Sequence, residues 1–201
     1  MTWDGPPLEA WDAWRPDEAA RELAGVDVPW CVVGGWSIDL FLGRETRAHA
    51  DLEIAIPRPD FARVRARLAG YALHVVGDGE VRALAPGELP PDDRHQSWVL
   101  DPRANAWRMD VMLEPGDAET WVFRRDERVR APRREMVART GAGVPFLAPH
   151  GALLFKAKRQ SEKDEADFAA AARLLSRAQR GWLVGALALA HPGHPWSAAL
   201  G

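Results

Sequence analysis

The chain turns on the stretch Gly34-Gly-Trp-Ser-Ile-Asp-Leu-Phe-Leu-Gly43-Arg-Glu-Thr46-Arg47-Ala-His49-Ala-Asp51-Leu-Glu53-Ile54. A short apolar run, Trp30-Cys-Val-Val33, leads into it and reads as a buried strand, bounded by Pro29 and by glycines. Gly34-Gly35 then reads as a turn, Trp36 to Leu42 as a helix, and Gly43 as its C-cap. Asp51 to Ile56 alternates strictly, with Leu52, Ile54 and Ile56 on one face and Asp51, Glu53 and Ala55 on the other. Side chains at i and i+2 of a strand lie roughly 6.5 Å apart, close enough for both carboxylates to bend onto shared cations. Hard oxygen ligands suit Mg²⁺, and two such ions about 3.5 to 4 Å apart can neutralise a triphosphate and activate a hydroxyl. The glycines let backbone N–H groups approach phosphate oxygens, and the helix start adds a positive dipole end. Acidic residues alternating along a strand ordinarily mark its solvated face, and a lone Gly-Gly is common. Their combination, with Arg47 and His49 just ahead of Asp51, is far more specific.

Outward from this stretch, Pro16 followed by Asp17 and Glu18 predicts a helix over Asp17 to Ala24. Phe61 to Leu68 reads as an arginine-rich helix, and strands are expected at Tyr71 to Val76, Gln96 to Leu100 and Ala106 to Leu113. The turn composition of Asp101-Pro-Arg-Ala-Asn-Ala predicts that the last two form a hairpin. From Pro149 onward the periodicity is helical, ending in an apolar helix near Trp182 to Ala190. The division expected is an α/β part over 1–146 and a helical part over 147–201.

The 201 residues, 47% hydrophobic and 27% charged, suffice for one domain with an appendage or for two small ones. A formal net charge of −3 argues against a protein that coats nucleic acid. The single cysteine, Cys31, excludes an intramolecular disulfide framework and a multi-cysteine zinc site, and fits a reducing cytoplasm. Met1 to Asp4 lacks the basic start of an export signal, and no apolar run approaches the roughly 20 residues of a membrane span. A P-loop sequence is absent, which removes that route to nucleotide binding.

The run from Gly34 through Gly43, Thr46, Arg47, His49, Asp51, Glu53 and Ile54 resembles the DNA polymerase beta-like nucleotidyltransferases, in particular the aminoglycoside 2''-adenylyltransferase and lincosamide nucleotidyltransferase group. The resemblance implies an α/β (α+β) nucleotidyltransferase fold, a mixed sheet flanked by helices with a helical C-terminal region. It implies transfer of a nucleoside monophosphate, AMP from Mg-ATP, to a hydroxyl of a small molecule such as an antibiotic. Asp51, Glu53 and Asp110 would hold two Mg²⁺ ions, and Asp110 would also act as general base. Asp110 is placed on the Ala106 to Leu113 strand, where it shares a face with Arg108 and Met112; Asp101, before a proline, is the rival. Gly34, Gly35, Ser37, Arg47 and His49 would contact the nucleotide. Glu53 is a permitted variant at the second carboxylate position.

Lysine occurs only at Lys156, Lys158 and Lys163, within a segment similar to the family's Lys-then-Lys-Asp-x-x-Asp-Phe run, here ending Asp167-Phe168. Compact ammonium groups suit phosphate, so Lys156 and Lys163 join the nucleotide contacts. The plainer reading is a solvated helix start with i,i+4 pairing. The run Arg124 to Arg134, interleaved with acids, reads as a solvated hairpin. Glu114, Asp117 and Glu119 are the carboxylates available to a cationic acceptor, and Trp98, Trp107, Trp121 or Trp182 are available to stack on a sugar. The apolar, acid-free stretch from Trp182 to Leu200 weakens the case for an aminoglycoside. His191 and His194 have no evident third metal ligand. The expected partners are the nucleotide and the small acceptor, with no membrane; the oligomeric state is left open. The alternative is a non-catalytic, or protein- or RNA-modifying, member of the fold, for example in a toxin-antitoxin pair. The survival of Asp51, Glu53 and Asp110 argues for activity.

Overall fold

A computed structural model describes residues 5–201; Met1 to Asp4, and with them the reading of the extreme N-terminus, lie outside the described residues. The elements in chain order are α1 (Pro16–Glu22), β1 (Cys31–Val32), α2 (Gly34–Leu42), β2 (Glu53–Pro57), α3 (Phe61–Arg67), β3 (Ala72–Gly77), β4 (Glu80–Ala83), β5 (Gln96–Asp101) and β6 (Ala106–Glu114). There follow β7 (Thr120–Val122), β8 (Arg130–Pro132), α4 (Arg133–Met136), β9 (Val137–Arg139), β10 (Pro145–Leu147), α5 (Pro149–Lys156), α6 (Glu162–Ala171), α7 (Arg177–Ala190) and α8 (Pro195–Leu200).

Eight strands form one mixed sheet in the order β4-β3-β5-β6-β2-β1-β10-β9, while β7 and β8 make a separate ribbon. The pairs β2–β6 and β1–β10 are parallel and the others antiparallel. Leu52, Ile54 and Ile56 are fully buried with Phe61, Val64 and Leu68, so one face of the sheet is covered by α3 and α1. The other face, with Cys31 and Ala55, packs against Ile38 of α2, Leu153 and Leu154 of α5, and Leu183 and Leu187 of α7. The C-terminal helices therefore share a core with the sheet. Phe168 stacks on Trp196 with centroids 4.2 Å apart, and Glu165 accepts hydrogen bonds from the Trp196 indole at 3.0 and 3.1 Å, which ties α8 to α6.

The structure corrects several expectations. Helix α2 begins at Gly34 rather than Trp36, and strand β2 begins at Glu53, leaving Asp51 before it. Ala55, on the carboxylate-bearing face of β2, is buried against α5 and α7, so that face is not the ordinary solvated side of a strand. Strands β4, β9 and β10 are too short to show a period; β10 spans the expected 146/147 boundary and continues the sheet, with the first C-terminal helix starting at Pro149. No helix among the described residues is long and apolar enough to cross a membrane.

Candidate active site

In the parallel register of β2 and β6, Glu53 stands beside Asp110. The Asp110 amide donates to Leu52 O at 2.8 Å, which locks the two strands at the point where the carboxylates meet. Asp110 is buried at 4% exposure; its Oδ2 accepts from Gln96 Nε2 at 2.8 Å, and its Oδ1 has no partner. Burial, followed by the negative charge of Glu53, pushes the Asp110 carboxyl well above the usual carboxylate range. Burial and the nearby Asp51 raise Glu53 too, against the pull of Lys156, Arg124 and Arg125. Asp51, exposed, stands two residues ahead of Glu53. Asp101 is occupied elsewhere: it caps a turn through Arg103 and Ala104 N–H and pairs with Arg108 at 3.1 Å.

Gly34 sits in the left-handed region at φ +65°, and a Cβ there would strike the Glu53 carboxylate, so only glycine lets the strand carboxylate lie against the helix start. A Cβ on Gly35 would meet Arg47 and His49 in the same way. No side chain caps α2, so its first N–H groups remain available to an anion. Arg47 and His49 are held from behind by a residue that the sequence reading passed over, Asp39. This carboxylate, 3% exposed, accepts from Thr46 N at 3.1 Å and Thr46 Oγ1 at 2.5 Å, and lies 2.6 Å from His49 Nε2. Burial would raise Asp39, but the Thr46 and His49 hydrogen bonds outweigh it and hold the carboxyl below its ordinary value. The His49 ring stacks on Trp36 at 4.3 Å, and its Nδ1 lies 3.3 Å from Arg47 Nη1. The signal for Asp39 was its spacing, ten residues before His49 on the inner side of a short helix.

The lysine segment arrives from the C-terminal helices. Lys156 ends α5 and pairs with buried Asp167 at 2.7 Å and with Asp164 at 3.4 Å; Asp167 also lies 3.7 Å from Arg47 Nη2. Helix α6 starts at Glu162 with a reciprocal Ser161–Asp164 capping box, so the helix-start reading of this segment holds as well. Gly34, Gly35, Arg47, His49, Asp51, Glu53, Lys156 and Lys163 line one cavity of about 490 Å³. Ser37 does not reach it: fully buried, it donates to Gly34 O at 2.8 Å.

A second, smaller cavity of about 190 Å³ meets the first at Val33, Gly34, Glu53 and Lys156, and Arg124, Arg125 and Arg159 also line it. Arg124, partly buried, and Arg125, still exposed, thus line the site, which corrects the solvated-hairpin reading for these two, while Arg128, Arg130 and Arg134 remain exposed as that reading expected. Arg133, in the same run, is buried and pairs with Glu114 at 2.5 Å, so Glu114 is not open to an acceptor. Asp117 accepts the N–H groups of Glu119 and Thr120 in an exposed turn. Trp107 and Trp121 are fully buried and present no face to a sugar.

Among the described residues no three metal-ligating side chains are gathered into a finished cation site. The donor chemistry nonetheless fits a hard divalent ion. An orphaned buried carboxylate oxygen, a second carboxylate in register with it and a third at the mouth repel one another until a cation intervenes. Mg²⁺ characteristically takes one or two carboxylates and completes its shell with water and substrate phosphate.

The mixed sheet flanked by helices is the fold of the solved antibiotic nucleotidyltransferases to which the chain is similar. Residues 18–88 match the sequence model of the family described as aminoglycoside-2''-adenylyltransferase. Among solved structures the chain is similar to the antibiotic-resistance factor ANT(2'')-Ia in solution, with 15% identity, 86% of each chain covered and a TM-score of 0.50. It is similar to the lincosamide antibiotic adenylyltransferase LnuA with bound lincomycin, at 15% identity over 77% of this chain and 92% of that one, TM-score 0.53. ANT(2'')-Ia in complex with adenylyl-2''-tobramycin gives 16% identity over 85% and 92%, TM-score 0.52. No curated protein matches the sequence.

Proposed function

We propose that the protein transfers a nucleoside monophosphate, AMP from Mg-ATP, to a hydroxyl of a small molecule, releasing pyrophosphate. The observation that carries this reading is the in-register pair Glu53 and Asp110, with an unpartnered Asp110 oxygen, beside a cavity walled by Gly34, Arg47 and Lys156. Asp51, Glu53 and Asp110 would hold the divalent ions, which when bound supply charge neutralisation for the triphosphate and the developing transition state. The α2 N–H groups at Gly34 and Gly35, with Arg47, Lys156 and Lys163, bind and orient the polyphosphate. His49 fixes Arg47 rather than touching phosphate first, and Ser37 braces the helix start. Asp110 Oδ1 takes the proton of the acceptor hydroxyl as its oxygen bonds to the α-phosphorus, and the bond from that phosphorus to the β-phosphate oxygen breaks. Positioning and fixed charge supply most of the rate in such a site.

In this reading 1–146 is the catalytic unit, and 147–201 completes the cavity by delivering Lys156 and Lys163. A reducing, ATP-rich cytoplasm suits a chain whose single cysteine is a buried free thiol. The test is incubation with α-labelled ATP and Mg²⁺ against a panel of hydroxylated acceptors, alongside thermal shifts with each nucleotide. Label transfer with stoichiometric pyrophosphate that disappears in Asp51→Asn is the expected result. Neither nucleotide binding nor transfer in any arm would overturn it.

A further inference from the structure

We propose that the smaller cavity is the acceptor site and that Arg124, Arg125 and Arg159 make it selective for hydroxylated small molecules bearing a carboxylate or phosphate, not for polycations; this rests on the transfer reaction proposed above. The two cavities meet at Glu53, the first residue of β2, and run apart from it, one toward Asp51 before the strand and the other toward Ala55 within it. In an in-line displacement the entering and leaving oxygens lie on opposite sides of the phosphorus. With the polyphosphate on the side of Gly35, Arg47 and Lys163, the entering hydroxyl comes from the Ala55 side.

That side has a definite chemistry. Its apolar lining includes Val33, Ala55, Met112 and Phe155, and its charged groups are four cations, Arg124, Arg125, Lys156 and Arg159, against three acids, Glu53, Glu114 and Asp164. Arg124 is partly buried and makes no hydrogen bond or ion pair among the described residues. Arg125 is set in place, donating to Phe155 O at 2.6 Å with its guanidinium 5.1 Å from the Phe155 ring centroid. The acids are committed. Glu114 is held by Arg133 at 2.5 Å, and Asp164 by Ser161 at 2.7 Å and Lys156 at 3.4 Å. Glu53 alone remains, and it faces the reacting centre. A polycation entering here would meet unpaired guanidinium groups and find no carboxylate to pair with, whereas an anion would be taken bidentately. Size points the same way: about 190 Å³ is below the roughly 300 to 1,000 Å³ typical of drug-sized pockets. The overall step is the one already balanced: acceptor O–H to α-phosphorus, proton to Asp110, pyrophosphate out.

The nucleotide's own phosphates are the other source of an anion for these arginines, and the experiment separates the two. The full-length protein is saturated with Mg²⁺ and α,β-methylene-ATP and titrated calorimetrically with glycerol 3-phosphate, glycerate, glycerol and tobramycin. The same titrations are run on Arg124→Gln/Arg159→Gln. Expected are binding of both anions at least about tenfold tighter than glycerol or tobramycin, an equal loss of that preference in the variant, and an unchanged affinity for the ATP analogue. Tobramycin binding best, no discrimination among the four, or a loss falling on the ATP analogue would each overturn the assignment. Failure of the analogue itself to bind the wild type would instead count against the transfer reaction, and the anion titrations of the nucleotide-free protein would still decide the slot.

Discussion

Asp39 Oδ2 and His49 Nε2 stand 2.6 Å apart, and both side chains are under 5% exposed. With Nε2–H donating to the carboxylate, Nδ1 becomes an acceptor and faces Arg47 Nη1 at 3.3 Å. The position of the cavity's arginine is therefore set by an aspartate on the far side of a histidine. Asp39→Ala should cost roughly 1 to 3 kcal/mol of stability, the penalty for orphaning buried partners. Nucleotide KM should rise more than kcat falls. Chemical denaturation and initial-rate kinetics together check both halves.

Asp51→Asn removes charge and keeps shape at an exposed position, so transfer should vanish while the melting temperature is unchanged. Asp110→Asn is expected to behave differently. Removing a buried, like-charge carboxylate relieves repulsion with Glu53, so the metal-free variant should melt higher than wild type while transfer falls by about 10²- to 10⁴-fold. Differential scanning fluorimetry without Mg²⁺, paired with rate assays, tests this. A lower melting temperature for Asp110→Asn would contradict the electrostatic account.

Gly34→Ala introduces a Cβ at φ +65° directly against Glu53. The backbone strain alone is about 1 to 3 kcal/mol for a non-glycine residue held in that region. Transfer should fall well beyond what the loss of stability explains, because Glu53 must move. Adding Glu53→Ala to Gly34→Ala should recover the part of the stability lost to the clash, leaving the backbone strain, and no activity.

His150, buried at the start of α5 against Trp182, has its imidazole pushed down to about 4 by burial. A base whose folded value lies below its ordinary 6.5 binds fewer protons folded than unfolded between those values. Stability is thus full above pH 6.5 and drains away as the pH falls toward 4, by up to about 3 kcal/mol. His150→Phe should flatten the pH dependence of urea midpoints over this window. An unaltered slope would place the acid sensitivity elsewhere.

Arg133 and Glu114 form a buried pair beneath the ribbon of β7 and β8. Arg133→Met leaves Glu114 buried without its partner and should destabilise by roughly 3 to 5 kcal/mol, whereas the Arg133→Met/Glu114→Leu double variant should recover much of that loss. Denaturant midpoints of the three proteins settle it.

Much of this was legible because the informative features are local. The strict alternation of Asp51 to Ile56, the helical spacing from Trp36 to Leu42 and the turn residues after Asp101 each declare an element within a few residues. The Glu53–Asp110 neighbourhood was reachable too, since both lie on strands that the pattern reveals. What escaped depends on tertiary company. Nothing local to Ala55 says that helices from the far end of the chain cover its face. The strands at Val137 and Pro145 have three residues each and no period to read. Glu114 and Arg133 looked like surface charges because nothing local says that they meet. Asp39 was hidden beside Ser37 on a mostly apolar helix, its partners supplied by the loop that follows.

The parallel pairing of β2 with β6 has a consequence for how the protein is assembled. Parallel neighbours cannot be joined by a tight turn, and the chain between Glu53 and Asp110 runs out through α3, β3, β4 and β5 before it returns. The carboxylate pair is consequently a long-range contact, made only when that whole excursion has closed. Mg-nucleotide bound across the seam would then act as a staple on the entire sheet, so that ligand should slow the exchange of amide protons in β5 and β3, neither of which supplies a residue proposed to hold it.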